Sequence, residues 1–178
     1  MADGAATLDI DIRVLAGDWE SAAPVGEAID PFCARWIRAA LQDAGASGGV
    51  DVLLTDDAHM RTLNRDHRGK DAPTNVLAFS AGEGGAPFQH LGDVALAFET
   101  LTREAADQGK LVGEHLAHLL VHGALHLAGF DHIDEADAAH MEAAERRVLA
   151  GGGLADPYIM RLDTAAASPS SQGAPTSA

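Results

Sequence analysis

The chain has 178 residues, the length of one ordinary domain, and 47% of them are hydrophobic, which is enough for a continuous core. Twelve Lys and Arg against 27 Asp and Glu give a net charge of −15, which excludes a protein that holds nucleic acid or an anionic membrane through overall basicity. The single cysteine, Cys33, excludes an internal disulfide. Since the sequence suggests neither a signal peptide nor a membrane span, we expect a cytoplasmic protein.

Hydropathy patterns predict four strands and about five helices. Strands are indicated by period-two alternation or by short apolar runs between turn signals, and helices by apolar residues at 3.6-residue spacing. In chain order we predict a strand over 8–15, a helix over 30–44, a strand over 50–54, a short helix to 63, strands over 75–80 and 93–98, and helices over 99–108, 112–128 and 135–150. The predicted fold is α+β, a single domain with a mixed four-stranded sheet packed with helices.

The C-terminal residues differ from the rest in composition. Residues 163–178 contain mostly Ala, Ser, Pro, Thr, Gly and Gln, and no large apolar residue. Such a segment cannot bury enough apolar surface to offset the entropy lost on ordering. We therefore expect the domain to span residues 1–162 and a disordered tail to cover 163–178.

Histidines are concentrated in one segment, since five of the nine lie between His115 and His132. His122 and His126 are four residues apart, so on a helix their imidazoles project from one face, as two ligands of one ion do. Gly129 can adopt a positive φ and end the helix, so that His132 returns as a third ligand. Three imidazoles leave the fourth position of a tetrahedral zinc open, as is typical of catalytic sites. The pattern predicts one metal ion at a helix C-terminus, with zinc the first choice over nickel, iron or copper.

Three neighbouring residues have open roles. His115 and His118 lie on the same predicted helix face as the two ligands, where they could donate hydrogen bonds to the site or simply line a cleft. Asp131 could orient a ligand imidazole or cap the following helix. None of the three is included in the predicted ligand set.

The spacing of the histidines also fits the metzincin proteases, whose signature is H-E-x-x-H-x-x-G-x-x-H. The glutamate of that signature is the general base, and Gly123 occupies its position here. Because glycine cannot accept a proton, proteolysis by this mechanism is disfavoured. A metal-dependent hydrolase of peptides is kept only as an alternative interpretation.

A short basic segment interrupts this acidic chain. Four cations lie within ten residues: Arg61, Arg65, Arg68 and Lys70. A local basic segment can hold an anion even where the net charge is negative. We expect the cleft between residues 61–70 and residues 122–132 to carry positive potential, and the helix over 135–150 to face solvent with its acids.

Four segments resemble, in order, motifs of the YbeY family. Residues 63–79, LNRDHRGKDAPTNVLAF, resemble L-N-x-x-Y-R-x-x-x-x-P-T-[DN]-V-L-S-F, and residues 91–94, LGDV, resemble L-G-D-I. Residues 122–132, HGALHLAGFDH, resemble H-G-x-L-H-L-x-G-Y-D-H, and residues 156–158 match D-P-Y. The resemblance extends over about residues 8–158.

The resemblance implies a zinc-dependent endoribonuclease that cuts single-stranded RNA in ribosomal RNA maturation, especially at the 3′ end of 16S rRNA, and in ribosome quality control. The implied partners are ribosomal RNA, the small ribosomal subunit and its assembly factors, with neither DNA nor a membrane. His122, His126 and His132 are the implied ligands of one zinc ion per chain. Arg68 is the implied functional arginine, since a guanidinium can bind a phosphate through two N–H groups. A ribosome-assembly factor without catalytic activity is a further alternative.

Three residues depart from the family pattern. His67 and Phe130 stand where tyrosine is usual, and Ala78 stands where serine is usual. None of them removes a predicted metal ligand, so they bear on substrate preference only.

Overall fold

A mixed four-stranded sheet lies at the centre of the domain. The computed structural model describes residues 7–82 and 89–159, and within them the strands are β1 (Leu8–Val14), β2 (Gly48–Thr55), β3 (Val76–Ser80) and β4 (His90–Ala97). The strand order is β1-β2-β4-β3, in which β1, β2 and β4 run parallel and β3 runs antiparallel to β4. Val52 of β2 pairs with Ile12 of β1 and with Val94 of β4. Since paired residues point to the same face, these β-branched side chains lie side by side against the main core.

Five helices and one short 3-10 helix connect and cover the strands. The helices are α1 (Ile29–Asp43), α2 (Asp57–Arg68), α3 (Phe98–Asp107), α4 (Val112–Leu127) and α5 (Glu135–Gly151), and the 3-10 helix covers Trp19–Ala22. α1 and α4 cover the face of the sheet that carries the main core, and α3 and α5 pack against α4. α2 covers the other face, where Met60 packs with Leu77 and Ala95.

The central position of α4 makes it a rigid support. Ten of its 16 residues are buried, among them Leu116, Leu120 and Leu125. A helix that is apolar on most of its circumference is one enclosed by other elements, here the sheet, α1, α3 and α5. Side chains that project from its one open strip are therefore held in fixed relative positions.

Gly123 allows α4 to approach the sheet closely. A Cβ atom at this position would lie 2.8 Å from Cγ1 of Val94 and 3.5 Å from Cγ2 of Val76. The residue therefore faces β4 and β3 rather than solvent, and its lack of a side chain is a packing requirement. A glutamate here could not act as a general base without displacing the helix from the sheet.

The predicted α+β fold with a four-stranded mixed sheet and five helices is confirmed. The largest difference between the predicted and observed elements is the end of α2. The sequence predicts an end near Leu63, whereas the helix continues to Arg68. The extra turn forms because Asn64 is buried with its side-chain amide donating to the carbonyl of Ala72 at 2.8 Å, and because Gly69 ends the helix with a φ of 70°. Arg68 is thus a helix residue rather than a loop residue.

The C-terminal prediction concerns residues outside the described part of the chain. Both the expected tail, residues 163–178, and the expected domain end at residue 162 lie there. Among the helices that the structure describes, none is both long and apolar enough to cross a membrane.

Candidate metal centre

The C-terminal end of α4 is a Schellman motif that reverses the chain. The amide of Phe130 donates to the carbonyl of Leu125 at 3.0 Å, and the amide of Gly129 donates to the carbonyl of His126 at 3.0 Å. Gly129 has a φ of 95°, which glycine adopts without steric strain. The helix therefore ends where the sequence predicts, and the chain turns back so that His132 lies near the helix end.

Three imidazoles meet at this turn, those of His122, His126 and His132. One ring nitrogen of each lies within 4.8 Å of the others. The Nε2 atoms of His122 and His126 are 3.1 Å apart, and the ring centroid of His132 is 5.0 Å from that of His126. His132 is exposed whereas the other two are half-buried, so the group is open to solvent on one side.

Hydrogen bonds of the two helical imidazoles show which nitrogen is free. Nδ1 of His122 lies 2.6 Å from Oε1 of Glu145, and Nδ1 of His126 lies 3.0 Å from the carbonyl oxygen of Phe130. Because both partners are acceptors, we assign the proton to each Nδ1, which leaves a lone pair on each Nε2.

This arrangement of lone pairs fits a divalent ion. Two lone pairs that face each other at 3.1 Å repel unless a cation lies between them. Ligands about 2.0–2.1 Å from one tetrahedral zinc are about 3.3 Å apart, close to the spacing seen. His122 and His126 could therefore hold one ion with little rearrangement, and His132 lies near enough to be the third ligand.

The local environment keeps His126 in the form that can bind a metal. Burial lowers the pKa of His126 below its ordinary value of 6.5, and the nearby His122 and His132 lower this pKa further. The neutral imidazole, which carries the free lone pair, is therefore favoured at neutral pH.

A buried glutamate of α5 supports this group, and sequence reasoning missed it. Glu145 is 1% exposed and accepts hydrogen bonds from His122, His118 and the hydroxyl of Tyr158. Burial alone raises the pKa of Glu145, but the three hydrogen bonds outweigh burial and lower this pKa from 4.5 to about 2. The side chain is therefore a carboxylate at neutral pH.

The expectation that the acids of α5 face solvent is wrong for Glu145. The buried residues of α5 recur at helical spacing, and Met141, Ala144, Val148 and Leu149 form an apolar stripe that packs into the domain. Glu145 lies on the same stripe. A charged residue on an otherwise apolar helix face was the signal in the sequence that could have identified it.

His118 and His115 have different roles. Nε2 of His118 is 3.1 Å from Oε2 of Glu145, so His118 shares that carboxylate with His122. Nε2 of His115 is 2.8 Å from Oε2 of Glu104, which belongs to α3. His115 thus connects α4 to α3, away from the three-histidine group.

Asp131 does not cap α5. The N-cap is Asp134, whose carboxylate accepts a hydrogen bond from the amide of Asp137 at 2.8 Å. The carboxylate of Asp131 instead accepts from the amide of His132 at 2.8 Å and lines the cleft beside the three histidines.

Arg68 lies in the same cleft as the three histidines. It is exposed at the end of α2, and its Nη2 donates to the carbonyl oxygen of Ala78 in β3 at 3.3 Å. The cleft has a volume of about 540 Å³, and its lining includes Arg68 of α2, Asn75 just before β3, and Ser80 of β3. The residues from α4 and the turn after it include His122, His126 and His132. The fold thus brings together the two predicted parts of the site.

Two other cations of residues 61–70 are paired with acids. Arg61 forms a two-point ion pair with Asp71, with N···O distances of 2.7 and 2.8 Å. Nε of Arg65 donates to Asp66 at 3.1 Å. Of the four cations, Arg68 lines the cleft. The positive charge that this segment brings to the cleft is therefore concentrated in one side chain.

The departures from the family pattern leave the backbone contacts of the cleft in place. Ala78 and Phe130 act through their carbonyl oxygens, which accept from Arg68 and His126 respectively. His67 lies against the face of the sheet that α2 covers, away from the cleft.

The fold and the cleft define an α+β domain with the features of a metal-dependent hydrolase of an anionic substrate: three histidines that could hold an ion and an arginine in the same cleft. Residues 22–152 match the sequence profile of the family described as Endoribonuclease YbeY. The chain belongs to this family, which confirms the resemblance seen in its motifs. The expectation of an enzyme that hydrolyses RNA is confirmed at the level of the family.

Individual relatives agree with this assignment. The chain is 49% identical over 156 residues to Endoribonuclease YbeY of Azorhizobium caulinodans, an alignment that covers 86% of this chain and 98% of the relative. It is 46% identical over 162 residues to Endoribonuclease YbeY of Paramagnetospirillum magneticum, covering 85% and 96%. The solution structure of TM1509 from Thermotoga maritima superimposes with a TM-score of 0.51 at 21% identity, covers 84% of this chain and 99% of that protein, and shows the same fold.

Proposed function

We propose that this protein is a zinc-dependent endoribonuclease that cleaves single-stranded ribosomal RNA. The observation that carries the proposal is the meeting of Arg68 with His122, His126 and His132 in one open cleft. The names of the relatives support RNA as the substrate. The motif resemblance is the basis for proposing its biological setting, which is cytoplasmic maturation of the 3′ end of 16S rRNA and ribosome quality control, with the small subunit and its assembly factors as partners.

The three histidines are the proposed metal ligands, and His122 and His126 would coordinate through Nε2. A bound zinc ion would supply Lewis-acid polarisation of a phosphoryl oxygen. The protein contributes two acceptors, Glu145 and the carbonyl of Phe130, that hold His122 and His126 in the tautomer with a free Nε2. The ligands are therefore oriented before the metal arrives.

Arg68 is the proposed phosphate-binding residue. Its guanidinium is planar and carries five N–H donors, and the bond to Ala78 uses one of its nitrogens. The remaining donors can bind two oxygens of a phosphate and stabilise the negative charge that develops on them in the transition state. Because Arg68 is exposed, the substrate can reach it without a conformational change of the sheet.

Preference for unpaired RNA follows from the shape of the cleft. The ligand group lies between α2 with β3 on one side and the turn after α4 on the other. A flexible single strand can bend its backbone into such a cleft, whereas a rigid duplex cannot.

A combined metal and cleavage measurement tests the proposed function. Protein purified without chelator should contain about one metal ion per chain and should cut a single-stranded RNA but not the same sequence in a duplex. His126→Ala should lose both the metal and the cleavage, because it removes a ligand. Protection of the RNA without cleavage by the metal-loaded protein would favour the assembly factor, and full metal occupancy in His126→Ala would refute the ligand assignment.

The peptide-hydrolase alternative is disfavoured by Gly123. The residue at the position of the protease base packs against Val94 of β4 rather than lining the cleft. An unstructured peptide incubated with the metal-loaded protein should therefore stay intact under conditions in which RNA is cut.

A further inference from the structure

We propose that Glu145 is a positioning residue that holds His122 for metal binding and couples the metal site to the C-terminal segment through Tyr158. The proposal rests on the proposed metal site, but it does not depend on RNA being the substrate.

Glu145 bridges three partners with its two oxygens. Oε1 lies 2.6 Å from Nδ1 of His122, and Oε2 lies 3.1 Å from Nε2 of His118 and also accepts from the hydroxyl of Tyr158. With 1% of its surface exposed, the carboxylate has little access to water, so these donors replace its hydration. A buried charge with this many partners has one stable position.

Two consequences follow for the His122 imidazole. The bond from Nδ1 fixes the ring orientation and the tautomer, which directs Nε2 toward Nε2 of His126 at 3.1 Å. The adjacent negative charge also makes the imidazole a stronger electron donor, as carboxylates do for metal-bound histidines in general. The inferred role is therefore to increase metal affinity rather than to contact the substrate.

The C-terminal segment, residues 156–158, is connected to the same carboxylate. Arg146 of α5 donates to Asp156 at 3.0 Å, and its guanidinium carbon lies 4.7 Å from the centre of the Tyr158 ring. The amide of Tyr158 also donates to Asp156 at 2.9 Å. These contacts hold Tyr158 against α5 with its hydroxyl directed at Glu145, so the segment restrains the carboxylate that restrains His122.

Metal affinity, measured by competition with a chromophoric chelator, tests this inference. Glu145→Gln should weaken zinc affinity by about 10- to 100-fold, the range seen when an outer partner of a ligand histidine is removed. Tyr158→Phe removes one hydroxyl and keeps the ring, and it should cause a smaller loss in the same direction. Asp43→Asn is the matched control, because this carboxylate pairs with another arginine of α5, Arg147, at 2.6 Å, outside the contacts that hold Tyr158. Its zinc affinity should equal that of the wild type.

A spectroscopic measurement separates positioning from general stability. With cobalt in place of zinc, the visible absorption bands report the geometry of the ligands, and Glu145→Gln should shift these bands whereas Asp43→Asn should not. Unchanged zinc affinity and unchanged bands in a folded Glu145→Gln protein would overturn the proposal. If Glu145→Gln does not fold, Tyr158→Phe decides the question, and wild-type affinity in that variant would overturn it. Failure of the wild type to bind metal would instead refute the proposed function.

Discussion

Arg68 is the residue whose proposed role is most cleanly separable from folding. Its side chain is exposed and makes one described hydrogen bond, to the carbonyl of Ala78. It is also not a candidate metal ligand, since the group in the cleft that could hold an ion consists of the three histidines. Removing the guanidinium should therefore change the chemistry of the cleft and little else.

Arg68→Ala should lower the RNA cleavage rate by about 100- to 1,000-fold, the usual loss when one preorganised donor to a developing oxyanion is removed. Metal content and melting temperature should stay at wild-type values. Arg68→Lys should also be poor, since an ammonium cannot make the planar two-point contact. Single-turnover cleavage kinetics measure the effect.

Arg65→Ala is the control for this prediction. Arg65 belongs to the same basic segment but pairs with Asp66 and does not line the cleft. Wild-type cleavage by Arg68→Ala, or an equal loss in Arg65→Ala, would remove Arg68 from the proposed site.

Among the secondary-structure elements, α4 depends on its close approach to β4. Gly123→Ala would place a Cβ atom 2.8 Å from Cγ1 of Val94, a buried β-branched side chain with little freedom to move. Overpacking typically costs about 1–3 kcal/mol, of which the better helix propensity of alanine offsets about 1 kcal/mol. We expect a net loss of up to about 2 kcal/mol in the free energy of unfolding, measured by urea denaturation.

A double-mutant cycle identifies the contact responsible. Val94→Ala makes room for the added methyl group, so the double variant should be less destabilised than the sum of the two single variants. Gly151→Ala provides the comparison, since nothing lies within 4 Å of a Cβ at that helical position, and it should be neutral or slightly stabilising. Additive effects of Gly123→Ala and Val94→Ala would show that the strain lies elsewhere.

The N-terminus of α2 depends on the carboxylate of its N-cap residue, Asp56. This side chain accepts from the amide of His59 at 2.9 Å, and that bond is the main reason why its pKa lies below the ordinary value of 3.8. Because the pKa is lower in the folded state, the stabilisation is fully present above pH 3.8 and is lost as the pH falls through the folded pKa.

Asp56→Ala should therefore cost about 1 kcal/mol of folding stability at pH 7, with the difference from wild type shrinking in acid. Asp56→Asn keeps an uncharged cap, so it should stay close to wild type at pH 7 and should lack this acid-dependent contribution. Denaturation curves collected from pH 7 to pH 3 measure both effects. A wild-type advantage over Asp56→Ala that grew toward low pH would contradict the assigned sign.

At the scale of the whole molecule, a net charge of −15 opposes binding to RNA. Two of the four cations near the site are paired with acids, and of the remaining two Arg68 lines the cleft. We therefore expect the protein to neutralise few phosphates and to depend on presentation of its substrate by the ribosome.

The salt dependence of RNA binding measures this property. Each phosphate neutralised on a single strand contributes about −0.7 to the slope of log affinity against log salt concentration, so we expect a slope of about −1 or shallower. Arg68→Ala should reduce its magnitude by about 0.7. Fluorescence anisotropy measures the slope on a short single-stranded RNA. Both proteins compared carry His126→Ala, which prevents cleavage during the measurement. A steep slope that Arg68→Ala leaves unchanged would place the RNA elsewhere on the surface.

The parts of the molecule that the sequence determined by itself are those fixed by local geometry. Helical spacing predicts that His122 and His126 share a face, and the left-handed preference of glycine predicts the turn at Gly129 that returns His132. Both depend on residues at most a few positions apart, and the structure shows both. The four strands followed equally from local alternation and turn signals.

Only the tertiary structure decided which distant side chains meet. Glu145 reaches His122 across 23 positions because the apolar stripe of α5 packs on α4, and an acid on that stripe is carried inward with it. Likewise Arg61 forms an ion pair with Asp71 whereas Arg68 lines the cleft, although both belong to one basic segment. Periodicity specifies which face of a helix is buried, but the partner that this face contacts depends on how the elements pack. The packing therefore decides which charges are paired and which remain available for a ligand.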